Sequence, residues 1–248
     1  MSEEKPRRRE VALFATCLVD LVRPDIGFDV ARLVLDAGFK VVVPPLQTCC
    51  GQPNYNGGDK SGAMAMARRN IDLLMPYEYV VVPSGSCGGM IAHHYPELLS
   101  GDTVYAGRAR RLAERVYELS RFLVDVADYQ PSRRLEGTVT YHDACAGLRE
   151  LGIKSGPRTL LERAGAQVVE SGQAEACCGF GGTFCIKYPD ISNAMLERKV
   201  ADIEATGAAT VVAGELGCLM NIEGKLHRTG RPIAARHFAQ LLAPEQKS

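Results

Sequence analysis

The sequence lacks any excess of one charge, because 29 Lys and Arg residues balance 29 Asp and Glu residues. A domain that binds nucleic acid usually carries a basic face, so this balance argues against DNA or RNA as the partner. Long hydrophobic runs are also missing. The longest apolar stretches, such as Val41–Leu46 and Tyr79–Pro83, are far shorter than the roughly 20 residues of a transmembrane helix. We therefore expect no membrane span.

The beginning of the chain lacks the apolar segment of a secretory signal peptide. Residues Met1–Glu10 are instead dense in Lys, Arg and Glu, and we expect them to form a charged, solvated tail. The chain is accordingly expected to work in the cytoplasm. Fingerprints of a flavin site, a nicotinamide site or a phosphate-binding loop are also missing. The glycine-rich stretch Gly179–Gly182 lacks the strand–turn–helix context of such sites and is interpreted as a loop.

Cysteine, by contrast, is plentiful, with nine residues in the chain. In a reducing compartment, clustered cysteines more often bind metals or act in catalysis than form disulfides. Eight of the nine fall into two sets of four that share one order. The first set is Cys17, Cys49, Cys50 and Cys87, and the second is Cys145, Cys177, Cys178 and Cys218. These eight thiols are the candidate metal ligands, whereas Cys185 stands outside both sets and is interpreted as structural.

The spacing of the two sets indicates an internal duplication. Positions 17, 49 and 50 recur 128 residues later at 145, 177 and 178, and position 87 recurs 131 residues later at 218. Chance placement of cysteines would rarely produce this match. We therefore predict two homologous domains, residues 11–130 and residues 131–248, with a linker around Gln130–Leu135.

A short apolar stretch rich in strand-forming residues precedes each cysteine element, and helical patterns lie between these stretches. The predicted strands are Val11–Thr16, Phe39–Pro44, Tyr79–Pro83, Gly137–His142, Ala166–Glu170 and Ala209–Ala213. The predicted helices are Phe28–Ala37, Ala63–Met75, Ala109–Val126, Pro157–Ala164 and Ile191–Thr206. This alternation predicts an α/β fold of two pseudo-symmetric, Rossmann-like halves with mostly parallel sheets. Ligands bind at the carboxyl ends of strands in such sheets, so the cysteines are expected to converge there.

Cysteine thiolates favour zinc, copper(I) and iron–sulfur clusters. Structural zinc sites usually take their cysteines as close pairs two to four residues apart, unlike the long spacing found here. Two adjacent cysteines, as in Cys49-Cys50 and Cys177-Cys178, fit poorly as two vertices of one small tetrahedron, but they can bind different atoms of a larger cluster. The pattern therefore favours iron–sulfur clusters, at most one per half. Zinc in one half remains an alternative.

Longer stretches around the cysteines resemble the family of CCG-domain iron–sulfur proteins, which includes subunits of heterodisulfide reductases and of glycolate- and lactate-oxidising systems. The stretches that carry the resemblance are Phe14–Asp20, Cys49–Pro53, Asn56–Gly58, Pro83–Cys87, Cys177–Phe184 and Gly217–Asn221. In relatives such as heterodisulfide reductase the motif ends in a further cysteine. This chain has Met90 and Asn221 at those places, so each half offers four candidate thiolates and not five. The resemblance with four thiolates implies a cluster of the ordinary 4Fe-4S type.

The resemblance implies an iron–sulfur electron-transfer subunit of a complex that oxidises L-lactate to pyruvate and allows growth on lactate. It also implies two partners, a ferredoxin-like iron–sulfur subunit and a third lactate-utilisation protein. Two alternatives stay within redox chemistry: cluster-based thiol–disulfide chemistry, and oxidation of another 2-hydroxy acid such as glycolate. A third alternative is a structural zinc-binding protein. Beside Cys145, His142 either donates to a cluster sulfur or moves a proton, or it only packs at a strand end.

Overall fold

The computed structural model describes residues 9–245, and within them the chain forms two four-stranded sheets in which all strands run parallel. The first sheet contains β1 (Glu10–Leu13), β2 (Lys40–Val42), β3 (Tyr79–Val82) and β4 (Val116–Glu118). The second contains β5 (Thr138–Tyr141), β6 (Gln167–Val168), β7 (Thr210–Ala213) and β8 (Ala234–His237). The orders are β2-β1-β3-β4 and β6-β5-β7-β8. The predicted α/β fold of two pseudo-symmetric halves is confirmed.

Helices cover both faces of the sheets. In the first half they are α1 (Cys17–Val22), α2 (Pro24–Asp36), α3 (Gln52–Asn56), α4 (Lys60–Leu74), α5 (Gly85–Gly89), α6 (Tyr95–Leu98), α7 (Ala106–Ala113) and α8 (Leu119–Arg121). In the second half they are α9 (Cys145–Leu151), α10 (Ser155–Arg163), α11 (Phe184–Lys187), α12 (Pro189–Glu204), α13 (Leu216–Arg228) and α14 (Phe238–Leu242). Two π-helical turns, Met90–His94 and Phe122–Val126, continue α5 and α8.

The local sequence explains where the main elements begin. Strand β3 is a run of valines after Tyr79, and such β-branched side chains suit a strand whose two faces are both covered. Helix α2 begins at Pro24, whose fixed φ angle is already helical and whose missing N–H would have had no partner in the first turn. Helix α4 begins after Asp59, whose carboxylate accepts a hydrogen bond from the Gly62 amide at 2.9 Å.

The prediction of one helix over Ala109–Val126 was wrong. Helix α7 ends at Ala113, and the next residues form the edge strand β4, in which Val116 pairs with Val80 of β3. The apolar residues of this stretch recur at a spacing that also suits a helix, so its local pattern was ambiguous. Pairing with β3 outweighs that weak local preference. Strand β8, which occupies the same edge of the second sheet, was not predicted either.

The predicted tail at Met1–Glu10 falls mostly outside the described residues. Glu10 already belongs to β1, and the Arg9 guanidinium donates to the Tyr79 hydroxyl at 2.7 Å. The division into domains at residues 130 and 131 remains a prediction. Within residues 9–245, no helix is both long and apolar enough to cross a bilayer.

The two halves share a hydrophobic core, and several pairs of helices join them, two of which carry cysteines. One core cluster joins residues such as Leu33 and Phe122 of the first half to Leu160 and Phe238 of the second. Helix α5 packs on α9, and α1 contacts α13. A Cβ atom on Gly85 of α5 would lie 2.5 Å from the Gly147 Cα of α9, so the α5–α9 contact requires glycine. These four helices carry cysteines, and the contacts between them place the cysteine elements at the interface between the halves.

Candidate metal centres

The first site collects the first set of cysteines from three chain segments. Cys17 opens α1, Cys49 and Cys50 lie in the loop before α3, and Cys87 lies in α5. The Cys17 and Cys49 sulfurs are 3.8 Å apart, and the Cys50 and Cys87 sulfurs are 3.4 Å apart. These separations exceed the roughly 2.05 Å of a disulfide, so the thiols are free. Cys50 and Cys87 are buried, whereas Cys17 and Cys49 are half-buried.

The second site repeats this arrangement. Cys145 opens α9, Cys177 and Cys178 lie in the loop between β6 and α11, and Cys218 lies in the first turn of α13. The thiols interact in the same sequence as in the first half, Cys145 with Cys177, Cys177 with Cys178, and Cys178 with Cys218. Cys178 and Cys218 are buried and the other two are half-buried. Each predicted set of four thiols is therefore brought together in its own half.

One thiol in each site is strongly acidified by its neighbours. Hydrogen bonds from the Cys17 and Cys50 thiols, helped by the Gly51 amide, lower the pKa of Cys49 to about 2. Hydrogen bonds from the Cys145 and Cys178 thiols lower the pKa of Cys177 to about 2 in the same way. The pKa of the donating thiols Cys17 and Cys145 is raised, because each donates its proton in a hydrogen bond to Cys49 or Cys177, respectively. A metal ion that displaces these protons would bind thiolates, and its binding would release protons to solvent.

A glycine after each cysteine pair turns the backbone so that its amide points at a sulfur. Gly51 has φ +87° and Gly179 has φ +83°, in the left-handed region that favours glycine. The Gly51 amide lies 3.5 Å from the Cys49 sulfur, and the Gly179 amide lies 3.3 Å from the Cys177 sulfur. The packing around the two glycines differs. A Cβ atom on Gly179 would lie 2.7 Å from the Ser192 carbonyl oxygen, whereas the nearest atom to a Cβ on Gly51 would be 3.4 Å away.

Replacing Gly179 by alanine is expected to destabilise the protein more than replacing Gly51 by alanine. Both variants force alanine into a left-handed conformation, at a cost of about 1–2 kcal/mol. Only Gly179→Ala adds a collision with backbone, which displaces the Cys177–Cys178 loop from α12. The free energy of unfolding, measured by urea denaturation of both variants, gives the comparison. Equal losses for the two variants would contradict this account of the second loop.

In each half, an asparagine side chain donates a hydrogen bond to the backbone of the cysteine loop. Asn221 of α13 donates to the Cys178 carbonyl oxygen at 2.9 Å, and Asn70 of α4 donates to the Cys49 carbonyl oxygen at 3.1 Å. Asn221, at the place of a further cysteine in related motifs, therefore supports the loop in this chain. Met90, at the corresponding place in the first half, is fully buried and packs in the apolar cluster that contains Cys50.

A polar contact that was not predicted from the sequence joins the two sites. Glu215 and Ser84 stand three residues before Cys218 and Cys87, respectively. The Glu215 carboxylate accepts a hydrogen bond from the Ser84 hydroxyl at 2.9 Å and from the Ser86 amide at 3.0 Å. Burial raises the pKa of Glu215 to about 7. The only sequence signal for this contact was the matching position of the two residues in the duplicated motif.

The end of β5 is fixed by a buried ion pair. Asp143 accepts two hydrogen bonds from the Arg158 guanidinium, at 2.8 Å and 2.9 Å, and the Asp143 side chain is fully buried. The guanidinium carbon of Arg158 also lies 5.1 Å from the ring centroid of Tyr141. His142 lies between Tyr141 and Asp143 in the chain, and it is 2% exposed. One of its ring nitrogens lies within 4.8 Å of the Cys178 and Cys218 sulfurs.

Cys185 takes no part in either set. It lies in α11, and its thiol donates to the Gly182 carbonyl oxygen at 3.3 Å. The glycine-rich stretch before it forms a loop, as the sequence suggested. This local hydrogen bond agrees with the structural interpretation of Cys185.

Comparison with known proteins identifies the family. The model of the cysteine-rich (CCG) domain matches residues 11–92 and 139–223, one copy in each half, and these segments contain all eight cysteines of the two sets. The chain belongs to the CCG cysteine-rich domain family. Three similar relatives are Lactate utilization protein A from Halalkalibacterium halodurans, Anoxybacillus flavithermus and Geobacillus kaustophilus, at 42%, 42% and 41% identity. The matches cover 96%, 94% and 94% of this chain and 98% of each relative.

A solved structure supports the fold of this CCG protein. A hypothetical protein from Helicobacter pylori aligns with a TM-score of 0.67 over 97% of this chain and 50% of that chain. Only 11% of the aligned residues are identical. The similarity therefore concerns the fold alone.

The donor set of both sites fits a metal centre. Each site presents four converging sulfurs, two of them buried. The pKa is lowered by neighbouring groups at Cys49 in the first site and at Cys177 and Cys218 in the second. Sulfur donors of this kind select soft or borderline metals. Clustered cysteines of a CCG family member thus indicate metal binding.

Proposed function

We propose that each set of four cysteines holds a 4Fe-4S cluster and that the chain is the electron-transfer subunit of a complex that oxidises L-lactate to pyruvate. The observation that carries the proposal is the convergence of two matched sets of four thiols in a chain about 40% identical to proteins named Lactate utilization protein A. The four sulfur donors in each half and the adjacent pairs, which suit separate iron atoms, support the 4Fe-4S type.

The arrangement of the two sites supports electron transfer through the chain. Cys87 of the first site and Cys145 of the second lie on α5 and α9, which pack against each other through Gly85 and Gly147. Cys17 and Cys218 likewise lie on α1 and α13, which are in contact. Two metal groups held at one interface can exchange electrons without passing through the outer parts of either half.

Substrate oxidation in this proposal requires partner proteins. The partners we propose are a ferredoxin-like iron–sulfur subunit and a third lactate-utilisation protein, and the relatives' names, which include A, A 1 and A 2, are consistent with a system of several components. We place the complex in the cytoplasm, where a reducing environment keeps thiols available as ligands.

Deleting the gene is expected to abolish growth on L-lactate as sole carbon source and to leave growth on glucose unchanged. The expected defect is complete because the electrons removed from lactate would have no route onward. The measurement is a growth curve of the deletion strain, with and without a plasmid copy, in a host that lacks other lactate dehydrogenases. Normal growth of the deletion strain on lactate would contradict the proposed function. A defect on glycolate alone would also contradict it and would change the substrate.

A further inference from the structure

The two metal centres differ at one position close to their sulfurs. His142 lies three residues before Cys145, and Phe14 lies three residues before Cys17, so the two occupy equivalent places in the duplicated motif. Both side chains are buried, Phe14 at 0% and His142 at 2% exposure. The first half shows that an apolar ring fills this place. Packing alone therefore does not require an imidazole in the second half.

The protein around the imidazole of His142 gives it no hydrogen bond of ordinary length. Among the described residues 9–245, neither Nδ1 nor Nε2 of His142 has a hydrogen-bond partner. A buried polar group without a hydrogen bond destabilises the fold, which favours a binding partner that the polypeptide does not supply. The bidentate pair of Asp143 with Arg158 holds the end of β5, so His142 cannot easily turn outwards to water.

The place of the imidazole is defined by the second set of thiols. One ring nitrogen of His142 and the sulfurs of Cys178 and Cys218 all lie within 4.8 Å of one another, and all three residues are buried. Atoms this far apart can surround one metal ion at bonds of about 2.0–2.3 Å. Neutral imidazole nitrogen and thiolate sulfur bind the same borderline metals.

We infer that His142 is a direct ligand of the metal group in the second half, through an imidazole nitrogen, so that the two halves hold groups with different ligands. This inference rests on the metal-binding part of the proposed function. The first half has sulfur donors only at the equivalent positions. The second half adds a neutral nitrogen donor to its four thiolates, so one iron of a 4Fe-4S cluster there would carry an imidazole besides its thiolate. The different ligand sets give the two centres different reduction potentials.

The test is pulsed electron paramagnetic resonance on the full chain, after anaerobic reconstitution with ferrous iron and sulfide and then reduction. The background is Cys50→Ala, which confines the cluster to the second half. A directly bound imidazole gives a strong ¹⁴N coupling that becomes a ¹⁵N coupling when the histidines are labelled with ¹⁵N. We expect this coupling in the Cys50→Ala protein. We expect none in the reverse background, Cys178→Ala, in which the first half alone holds a cluster.

Two further variants locate the nitrogen. His142→Phe copies the first half and should abolish the histidine coupling while the second-half cluster remains, and His93→Phe should keep it. Labelling needs no substitution at His142, so the test stands even if His142→Phe fails to fold. A second-half cluster without histidine coupling would overturn this inference and leave the proposed clusters intact.

If the chain takes up only zinc, the proposal of iron–sulfur clusters is wrong. X-ray absorption of the zinc-bound protein then tests whether His142 is a ligand. Zinc with a nitrogen neighbour in the second half would support it, and zinc bound only by sulfur would overturn it.

Discussion

Replacing Cys50 by alanine is expected to remove the metal group of the first half and to leave that of the second half in place. The Cys50 sulfur lies 3.4 Å from the Cys87 sulfur and interacts with Cys49, so its loss leaves three ligands of four. Iron and acid-labile sulfide per chain should fall by about half if both halves hold 4Fe-4S clusters. Cys178→Ala should cause the same loss from the second half, because one iron there also loses its thiolate whether or not His142 binds, and the double variant should hold no cluster.

The matched control for these variants is Cys185→Ala. Cys185 lies outside both sets and its thiol makes a local hydrogen bond to the Gly182 carbonyl oxygen, so its replacement should leave iron and sulfide unchanged. Each of the two single variants at Cys50 and Cys178 should also fail to restore growth of the deletion strain on lactate, because electron transfer needs both centres. Full iron content in Cys50→Ala, or a loss of iron in Cys185→Ala as large as in Cys178→Ala, would contradict the assignment of the two ligand sets.

Replacing Arg158 by leucine is expected to lower the free energy of unfolding by about 3–5 kcal/mol, the usual result of breaking a buried ion pair from one side. The change leaves the Asp143 carboxylate charged and fully buried, without the two hydrogen bonds that it accepts. It also frees the end of β5, which positions His142 and Cys145. Urea unfolding of the purified protein measures the loss of stability, and iron content reports the effect on the second site.

Two comparisons separate the ion pair from a general effect of charge. Lys154→Ala removes an exposed pair with Glu175, and we expect a loss of no more than about 1 kcal/mol. The double variant Arg158→Leu, Asp143→Leu removes both buried charges and should be more stable than Arg158→Leu alone. A double variant as unstable as the sum of its single variants would show that the pair does not act as a unit.

Much of the fold was predictable because each of the six strands predicted from the sequence combines β-branched residues with a cysteine element that follows it. In β3 and β7 the valine runs lead directly to the elements of Cys87 and Cys218. The edge strands β4 and β8 were not predicted, because they are short and no cysteine element follows them. Tyr117 and Arg236 lie in strands only because a neighbouring strand pairs with them, through Val81 and Val212. Pairing between distant segments does not appear in a local pattern.

The candidate ligands could be chosen from the sequence, since the duplicated spacing separates Cys185 from the other eight. The contacts around these ligands could not be predicted from the sequence. The Ser84–Glu215 contact joins residues 131 positions apart and depends on how the halves dock. His142 was interpreted either as a packed residue or as a group beside the cluster. The absence of an ordinary hydrogen bond to either ring nitrogen among residues 9–245 becomes visible only once Asp143 and Arg158 are in place around it.

The metal that the unmodified chain holds decides between electron transfer and a structural role. The measurement is iron, zinc and acid-labile sulfide per chain, with a visible absorption spectrum, on protein purified without oxygen. We expect several irons with matching sulfide, no stoichiometric zinc, and a brown colour that bleaches on reduction. Zinc without iron, even after anaerobic reconstitution with iron and sulfide, would mean that the two sets of cysteines are structural, and the electron-transfer proposal would be wrong.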